Sequence, residues 1–185
     1  PKMVLEFYNL RRKQVIEAFP NKSHLALVEL EEKFKLEIIT QNIDDLHERA
    51  GSSKVLHLHG EILKSRSTYD NKQFNIEGAE LNFGDTCPNN TQLRPDIVWF
   101  GEEVPNMEQA LKICENADIL IIIGTSLTVY PAANIIDFVS DKCEKYLIDP
   151  KEILSTSFKN ITFIKEKASI GIPILANKLL NKSFI

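Results

Sequence analysis

Polar side chains that could carry out chemistry follow two short apolar stretches in the first third of the chain. Gln41, Asn42 and Asp44 directly follow the first stretch. His59, with a glycine after it, follows the second. Amide and carboxylate groups hold ligands through hydrogen bonds, and an imidazole with its ordinary pKa of about 6.5 accepts a proton at neutral pH. These residue types could therefore bind a polar ligand and move one of its protons.

Each of these residues also has a simpler explanation. A single histidine after a strand is usually structural, and Asn or Asp after a strand usually forms a turn or caps a helix. A functional site is therefore expected only if the side chains meet in space.

The elements that would bring them together are two strands of a parallel sheet. The apolar stretches predict buried strands at 36–40 and 55–58, with a short helix at 45–50 between them. Gly51 is suited to end that helix. Ligands of open α/β sheets bind just beyond the carboxyl ends of the strands. We therefore expect His59 and the cluster at 41–44 to converge on one cleft.

The rest of the chain alternates between helical and strand patterns. Such alternation predicts an α/β fold, a parallel sheet with helices on both faces, and the length of 185 residues predicts a single domain. The predicted helices are 4–19, 23–34, 106–116 and 172–181, and the further strands are 119–123, 145–148 and 161–164.

Residues 64–94 differ in composition from their surroundings. Lys, Ser, Asn, Asp and Gly dominate, and apolar residues are sparse. This predicts a small appended module, after which 97–101 (IVWFG) returns to the core.

Composition limits the classes of partner. The net charge of −4 and the pI of about 5.6 argue against nucleic acid. The chain contains no run of 18 apolar residues, so no membrane span is expected, and no signal peptide is expected either. The three cysteines are scattered, which predicts free thiols and a cytoplasmic location.

The order of four motifs resembles the sirtuins, the NAD-dependent protein deacylases. TQNIDDLHERAG at 40–51 is followed by HGEI at 59–62, VWFGE at 98–102 and GTS at 124–126. The resemblance implies a Rossmann-like α/β catalytic domain over residues 1–185 that transfers an acyl group from lysine to ADP-ribose and releases nicotinamide. It implies NAD as the cofactor and acylated lysine-containing proteins or peptides as partners.

The same resemblance assigns roles to individual residues. His59 is implied as the general base, and Asp149 stands where sirtuins commonly carry an Asn. The implied cofactor-binding residues are Gln41, Asn42, Ile43, Asp44, Gly124, Thr125, Ser126, Asp149, Pro150, Lys151 and Ala168. The segment implied to pair with the substrate backbone is Ile97, Val98, Trp99, Phe100 and Gly101. The simpler alternative is that both aromatic residues belong to the core.

Tyr8 and Arg11 suggest the kind of acyl group. They are three residues apart in a predicted helix, so they share a face. Tyr-x-x-Arg here resembles the class III sirtuins, which remove malonyl, succinyl and glutaryl groups; Arg11 would pair with the acyl carboxylate and Tyr8 would add a hydroxyl. The alternative is an exposed basic helix edge, since Arg12 rather than Arg11 points into the apolar arc.

Two departures from the sirtuin pattern carry expectations of their own. Where sirtuins hold structural zinc with two C-x-x-C pairs, this chain has STYD at 67–70 and CPNN at 87–90. One thiol cannot supply four ligands, so no zinc and a mobile module are expected. The N-terminal Gly-rich cofactor loop is also missing, so we expect an N-terminally incomplete sequence, with weak NAD binding if nothing precedes Pro1.

Two other functions fit the same residues. NAD-dependent ADP-ribosyl transfer would use the same histidine and pocket. A non-catalytic, sirtuin-like peptide-binding module is favoured if the chain truly starts at Pro1.

Overall fold

A computed structural model of the chain describes residues 1–124, 132–151 and 160–182. The α-helices are α1 (Lys2–Glu17), α2 (Lys22–Leu30), α3 (Leu46–Ala50), α4 (Met107–Glu115) and α5 (Ala168–Leu180), with a 3-10 helix at Ala132–Phe138. The strands are β1 (Ile38–Thr40), β2 (Val55–His57), β3 (Gly60–Ser67), β4 (Gln73–Asn75), β5 (Leu93–Ile97), β6 (Ile119–Ile123), β7 (Glu144–Ile148) and β8 (Ile161–Ile164).

The parallel strands form two sheets rather than one. β1 pairs with β2, and β6, β7 and β8 pair in that order, all in parallel. The predicted Rossmann-like α/β architecture is confirmed. Within the described ranges, no strand pairs with members of both sheets.

Helices cover both faces of these strands, as predicted. On one face α2 and α5 bury a core against β1 and β7 that includes Leu27, Leu30, Ile148, Ile172 and Leu175. On the other face α4 and the 3-10 helix pack their apolar side chains against β1 and β6. The strand ends are therefore fixed from both sides.

The polar stretch forms part of a three-stranded antiparallel sheet, ordered β4-β3-β5. Because β3 begins directly after His59 and β5 ends at Ile97, this sheet joins the two sequence motifs. Helix α1 is anchored to it by Arg12, whose fully buried guanidinium donates to the carbonyl oxygens of Ile62 at 2.7 Å and Ala79 at 3.1 Å. Arg12 thus does face the interior, as the helical pattern predicted.

The state of the cysteines and the length of the helices were also predicted from the sequence. All three cysteines are free and buried. Within the described ranges, no helix has both the length and the apolar character that a membrane crossing requires.

Candidate active site

The imidazole of His59 meets the loop that follows β1. Its Nδ1 lies 3.1 Å from the backbone oxygen of Gln41. Because a carbonyl oxygen only accepts, Nδ1 carries the hydrogen, and Nε2 of the neutral ring keeps its lone pair. No described residue forms a hydrogen bond to that Nε2. The ring is therefore held in the tautomer that a general base at Nε2 requires.

Gly60 makes this placement possible. Its φ is +82°, and a Cβ built on it would lie 1.9 Å from the backbone oxygen of Asp96. The absent side chain lets β3 and β5 approach directly beside His59, whose own carbonyl oxygen accepts from Val98 N at 3.0 Å. The proposed base and the proposed substrate segment are thereby joined.

A second histidine, which the sequence analysis did not single out, holds the same loop. His57 is buried; its Nδ1 lies 3.1 Å from Asn42 O and its Nε2 lies 2.8 Å from Glu48 Oε1. It therefore connects β2, the 41–44 loop and α3. The signal available in the sequence was its spacing of two residues from His59, which places both at the end of one strand.

Asp44 has a structural role in the loop. Its Oδ1 accepts from Leu46 N at 3.1 Å at the start of α3. Asn42 donates its backbone N–H to Thr40 Oγ1 at 3.0 Å, and its side chain is exposed. The turn and capping roles are thus present, yet they leave the amide of Asn42 available to a ligand.

The 41–44 loop separates two cavities, where the sequence predicted one cleft. The larger, of about 1550 Å³, lies between β1 and β6. Its lining includes four predicted cofactor residues: Gln41, Asn42, Gly124 and Ala168. Gly124 has a φ of +59°, and no atom of the described residues lies within 4 Å of a Cβ built on it. These features fit a long polar ligand such as a dinucleotide.

The other predicted cofactor residues that the structure describes are not part of this lining. Asp149, Pro150 and Lys151 form the turn after β7, where Asp149 Oδ1 accepts from Lys151 N at 2.7 Å, and they are not part of the cleft lining. Gly124 N donates to Ile148 O at 3.0 Å, so this turn starts beside Gly124. Thr125 and Ser126 lie outside the described residues.

The smaller cavity, of about 440 Å³, brings Tyr8 and Arg11 of α1 together with Ile43 and Asp44. The Arg11 guanidinium carbon lies 5.4 Å from the centre of the Phe7 ring, and Nη1 donates to Gln14 Oε1 at 3.1 Å. Within the described ranges Arg11 forms no ion pair with a carboxylate. The predicted shared face of Tyr8 and Arg11 is therefore a cavity wall that reaches the 41–44 loop.

The segment after β5 was predicted to be core, and beyond Ile97 that prediction is wrong. Trp99 is half-buried, and Phe100 is exposed over its whole side chain (105%). The strand ends at Ile97, and the chain then turns, with Gly101 at a φ of +89°, so that Phe100 reaches the surface.

A charged cluster fixes that turn. Glu102 accepts from Arg94 through both oxygens, at 2.7 and 3.0 Å, and from Arg66 and the backbone N of Trp99 at 3.1 and 2.9 Å. These bonds, Arg94 foremost, lower the pKa of Glu102 to about 2. Sequence reasoning missed the cluster because its members become neighbours only when β3 and β5 pair.

Two segments stand where sirtuins carry zinc cysteines, and the side chains of Ser67 and Cys87 in them are joined through the hydroxyl of Thr91. Thr91 Oγ1 lies 2.9 Å from Ser67 Oγ and 3.0 Å from Cys87 Sγ. Among the described residues, no group of three or more His, Cys, Asp or Glu is arranged to hold a metal ion. The absence of zinc stays a prediction.

Comparisons with known proteins agree with this geometry. Residues 1–131 match the Sir2 family. An NAD-dependent protein deacylase of Bacteroides thetaiotaomicron is 48% identical over 186 residues, covering 97% of this chain and 80% of the relative. A Sir2 homologue in complex with NAD superimposes with a TM-score of 0.87 at 37% identity, covering 96% of this chain and 72% of that one.

A further solved structure carries a peptide. Sir2Tm bound to a propionylated peptide superimposes with a TM-score of 0.72 at 32% identity, covering 95% of this chain and 77% of that one. From the family match and the close relative together, the chain belongs to the Sir2 family.

Proposed function

We propose that this protein removes negatively charged acyl groups, malonyl or succinyl, from lysine side chains of proteins. Its family and its relatives make it an NAD-dependent protein deacylase. The acyl preference is the finer part of the proposal, and the cavity beside α1 supports it.

One observation carries the preference: the Arg11 side chain, which has no carboxylate partner among the described residues, lines a cavity that ends at the 41–44 loop. Arg11 and Tyr8 supply a guanidinium fork and a phenol on the same wall. A carboxylate on the acyl group would give Arg11 the paired oxygens that guanidinium binds best. An acetyl group has no charge to offer this side chain.

The cleft between β1 and β6 supports NAD as the co-substrate. Gln41 and Asn42 lie at the carboxyl end of β1, and Gly124 and Ala168 line the same cleft from β6 and α5. When bound, NAD supplies the ADP-ribose that accepts the acyl group. We assign Asp149, Pro150 and Lys151 to the outer end of this cofactor site, beside Gly124.

His59 is proposed as the general base. The bond from Nδ1–H to Gln41 O orients the ring, so Nε2 can take a proton from a hydroxyl held near the 41–44 loop. Asn42 and Asp44 are proposed to hold that hydroxyl and its neighbours. Because His57 binds Asn42 O, the loop keeps its shape without help from the ligand.

The acylated peptide is proposed to lie along residues 97–101. This segment follows an edge strand and turns outward, with Phe100 exposed. An extended peptide gains affinity there from main-chain hydrogen bonds, which accept many sequences. Sir2Tm bound to a propionylated peptide is a family precedent for an acyl-peptide ligand.

The test compares succinyl-lysine and acetyl-lysine versions of one peptide in the presence of NAD. Arg11→Met is expected to lower kcat/KM for the succinyl peptide by about 10- to 100-fold, the value of a charge-assisted bond. It should change deacetylation by a few-fold at most. Lys13→Met, which removes an exposed cation from the same helix, serves as the matched control. Equal losses on both peptides would overturn the acyl preference.

A further inference from the structure

A hydrogen bond between two aromatic side chains, distant in the sequence, lies beside the proposed acyl pocket. The indole Nε1 of Trp99 donates to the phenol oxygen of Tyr8 at 3.1 Å, and the two residues are 91 positions apart. Trp99 follows β5, in the proposed peptide-binding segment, while Tyr8 lines the cavity with Arg11. The contact therefore links the peptide site to the acyl site.

Trp99 is itself held on two sides. The guanidinium carbon of Arg94 lies 3.5 Å from the centre of the indole ring. Both oxygens of Glu102 bind that guanidinium, and Glu102 Oε2 also accepts from the backbone N of Trp99. Since the lowered pKa keeps Glu102 ionised near neutral pH, its contacts with Arg94 and Trp99 persist there.

The direction of the hydrogen bond decides what Tyr8 can do. An indole N–H only donates, so the phenol oxygen of Tyr8 must be the acceptor. The phenol hydrogen is then left to point away from Trp99. Arg11 lines the same cavity as Tyr8, and a carboxylate has enough lone pairs to accept from both side chains.

We propose that Trp99 is a positioning residue for acyl selection, which sets Tyr8 as a hydrogen-bond donor to the carboxylate of a malonyl or succinyl group. This inference rests on the proposed function. It adds that the contacts of Arg94 and Glu102 with Trp99 hold the indole in the orientation that reaches Tyr8. Its distinctive consequence is coupling, because Trp99 acts on the acyl group only through the hydroxyl of Tyr8.

A double-mutant cycle tests that coupling. The quantity measured is the ratio of kcat/KM for succinyl-lysine to kcat/KM for acetyl-lysine on one peptide. Trp99→Phe and Tyr8→Phe are each expected to lower the ratio by about 5-fold, the worth of one ordinary hydrogen bond. The double variant should fall no further than Tyr8→Phe alone.

Two outcomes would overturn the inference. Losses that multiply in the double variant would show that Trp99 and Tyr8 act independently, and an unchanged ratio in Trp99→Phe would remove Trp99 from acyl selection. If Arg11→Met and Tyr8→Phe both leave the ratio unchanged, the proposed acyl preference itself fails. The two failures are therefore distinguishable.

A second measurement needs no substitution at Trp99. Trp99 is the single tryptophan of the chain, so intrinsic fluorescence reports its surroundings directly. Titration with succinyl-lysine peptide should shift its emission more than acetyl-lysine peptide does, and Tyr8→Phe should abolish that difference. Equal shifts from the two peptides in the unaltered protein would contradict the inference.

Discussion

Three of the four histidines form a titratable group beside the proposed site. The rings of His24 and His47 lie 4.7 Å apart between centres, and His57 adds to the charge environment of His47. Burial lowers the pKa of His24, and burial followed by the charge of His24 lowers the pKa of His47; nearby Asp44 acts in the opposite direction on both. The folded protein therefore favours the neutral forms of His24 and His47.

The sign of the resulting pH dependence follows from proton binding. The unfolded chain takes up protons as the pH falls through about 6.5, while the folded histidines take them up only at lower pH. The free energy of unfolding should therefore decrease as the pH drops from 7.5 to 5.5. Denaturant unfolding of a His24→Gln/His47→Gln variant should show a smaller decrease than the original protein. An equal decrease in both would remove these histidines as its cause.

At the same scale, the sequence predicted contacts between strand ends better than contacts within loops. The approach of His59 to the 41–44 loop followed from two parallel strands that end at one edge, and the bond to the backbone oxygen of Gln41 confirms that approach. Its convergence on one cleft with the side chains of this loop stays a prediction, because His59 is not among the residues that line either cavity. The bond from His57 to Asn42 depends on how the loop turns after β1, which no residue spacing specifies. The dihedral angles of a loop are fixed only once its neighbours are packed.

At the scale of elements, the junction between β3 and β5 carries the site. Gly60 and Gly78 both have positive φ angles, +82° and +75°, but only Gly60 has a backbone atom where a Cβ would be. The comparison of the two glycines separates backbone strain from steric contact.

Gly60→Ala is therefore expected to destabilise the protein more than Gly78→Ala does. The strain of a positive φ costs about 1 kcal/mol in either variant. At Gly60 the clash with Asp96 O adds to it, and β5 must move, so activity should fall as well. Thermal unfolding of both variants measures their loss of stability. A loss at Gly60 no larger than that at Gly78 would mean that the close approach of β3 and β5 contributes nothing.

The sequence predicted regular elements well where a single apolar pattern dominated. β6 and β8 have the predicted bounds. Helix α5 begins at Ala168 rather than 172, so Gly171 lies inside it. A Cβ there would be 2.7 Å from Ile148 Cγ2, so glycine permits close packing on β7. β4 was missed because its three residues, two of them exposed, show no apolar pattern.

At the scale of the whole molecule, helices cover both faces of the two parallel sheets, β1-β2 and β6-β7-β8, and a cleft lies between them. Alternation of strands and helices predicted the class of fold, but not the division into two sheets, because strand order depends on contacts between distant segments. The 41–44 loop contributes to the lining of both the cleft and the smaller cavity that is proposed to hold the acyl group, and His59 is bonded to that loop. The function assigned to this arrangement depends on proton transfer at His59.

The most direct test is the NAD-dependent release of acyl groups by the protein and by His59→Ala, followed by mass spectrometry of O-acyl-ADP-ribose and nicotinamide. Loss of the base should lower kcat by about 100-fold or more, while thermal unfolding shows that the variant still folds. Turnover within a few-fold of the original protein, or release of the acyl group without NAD, would contradict the assignment.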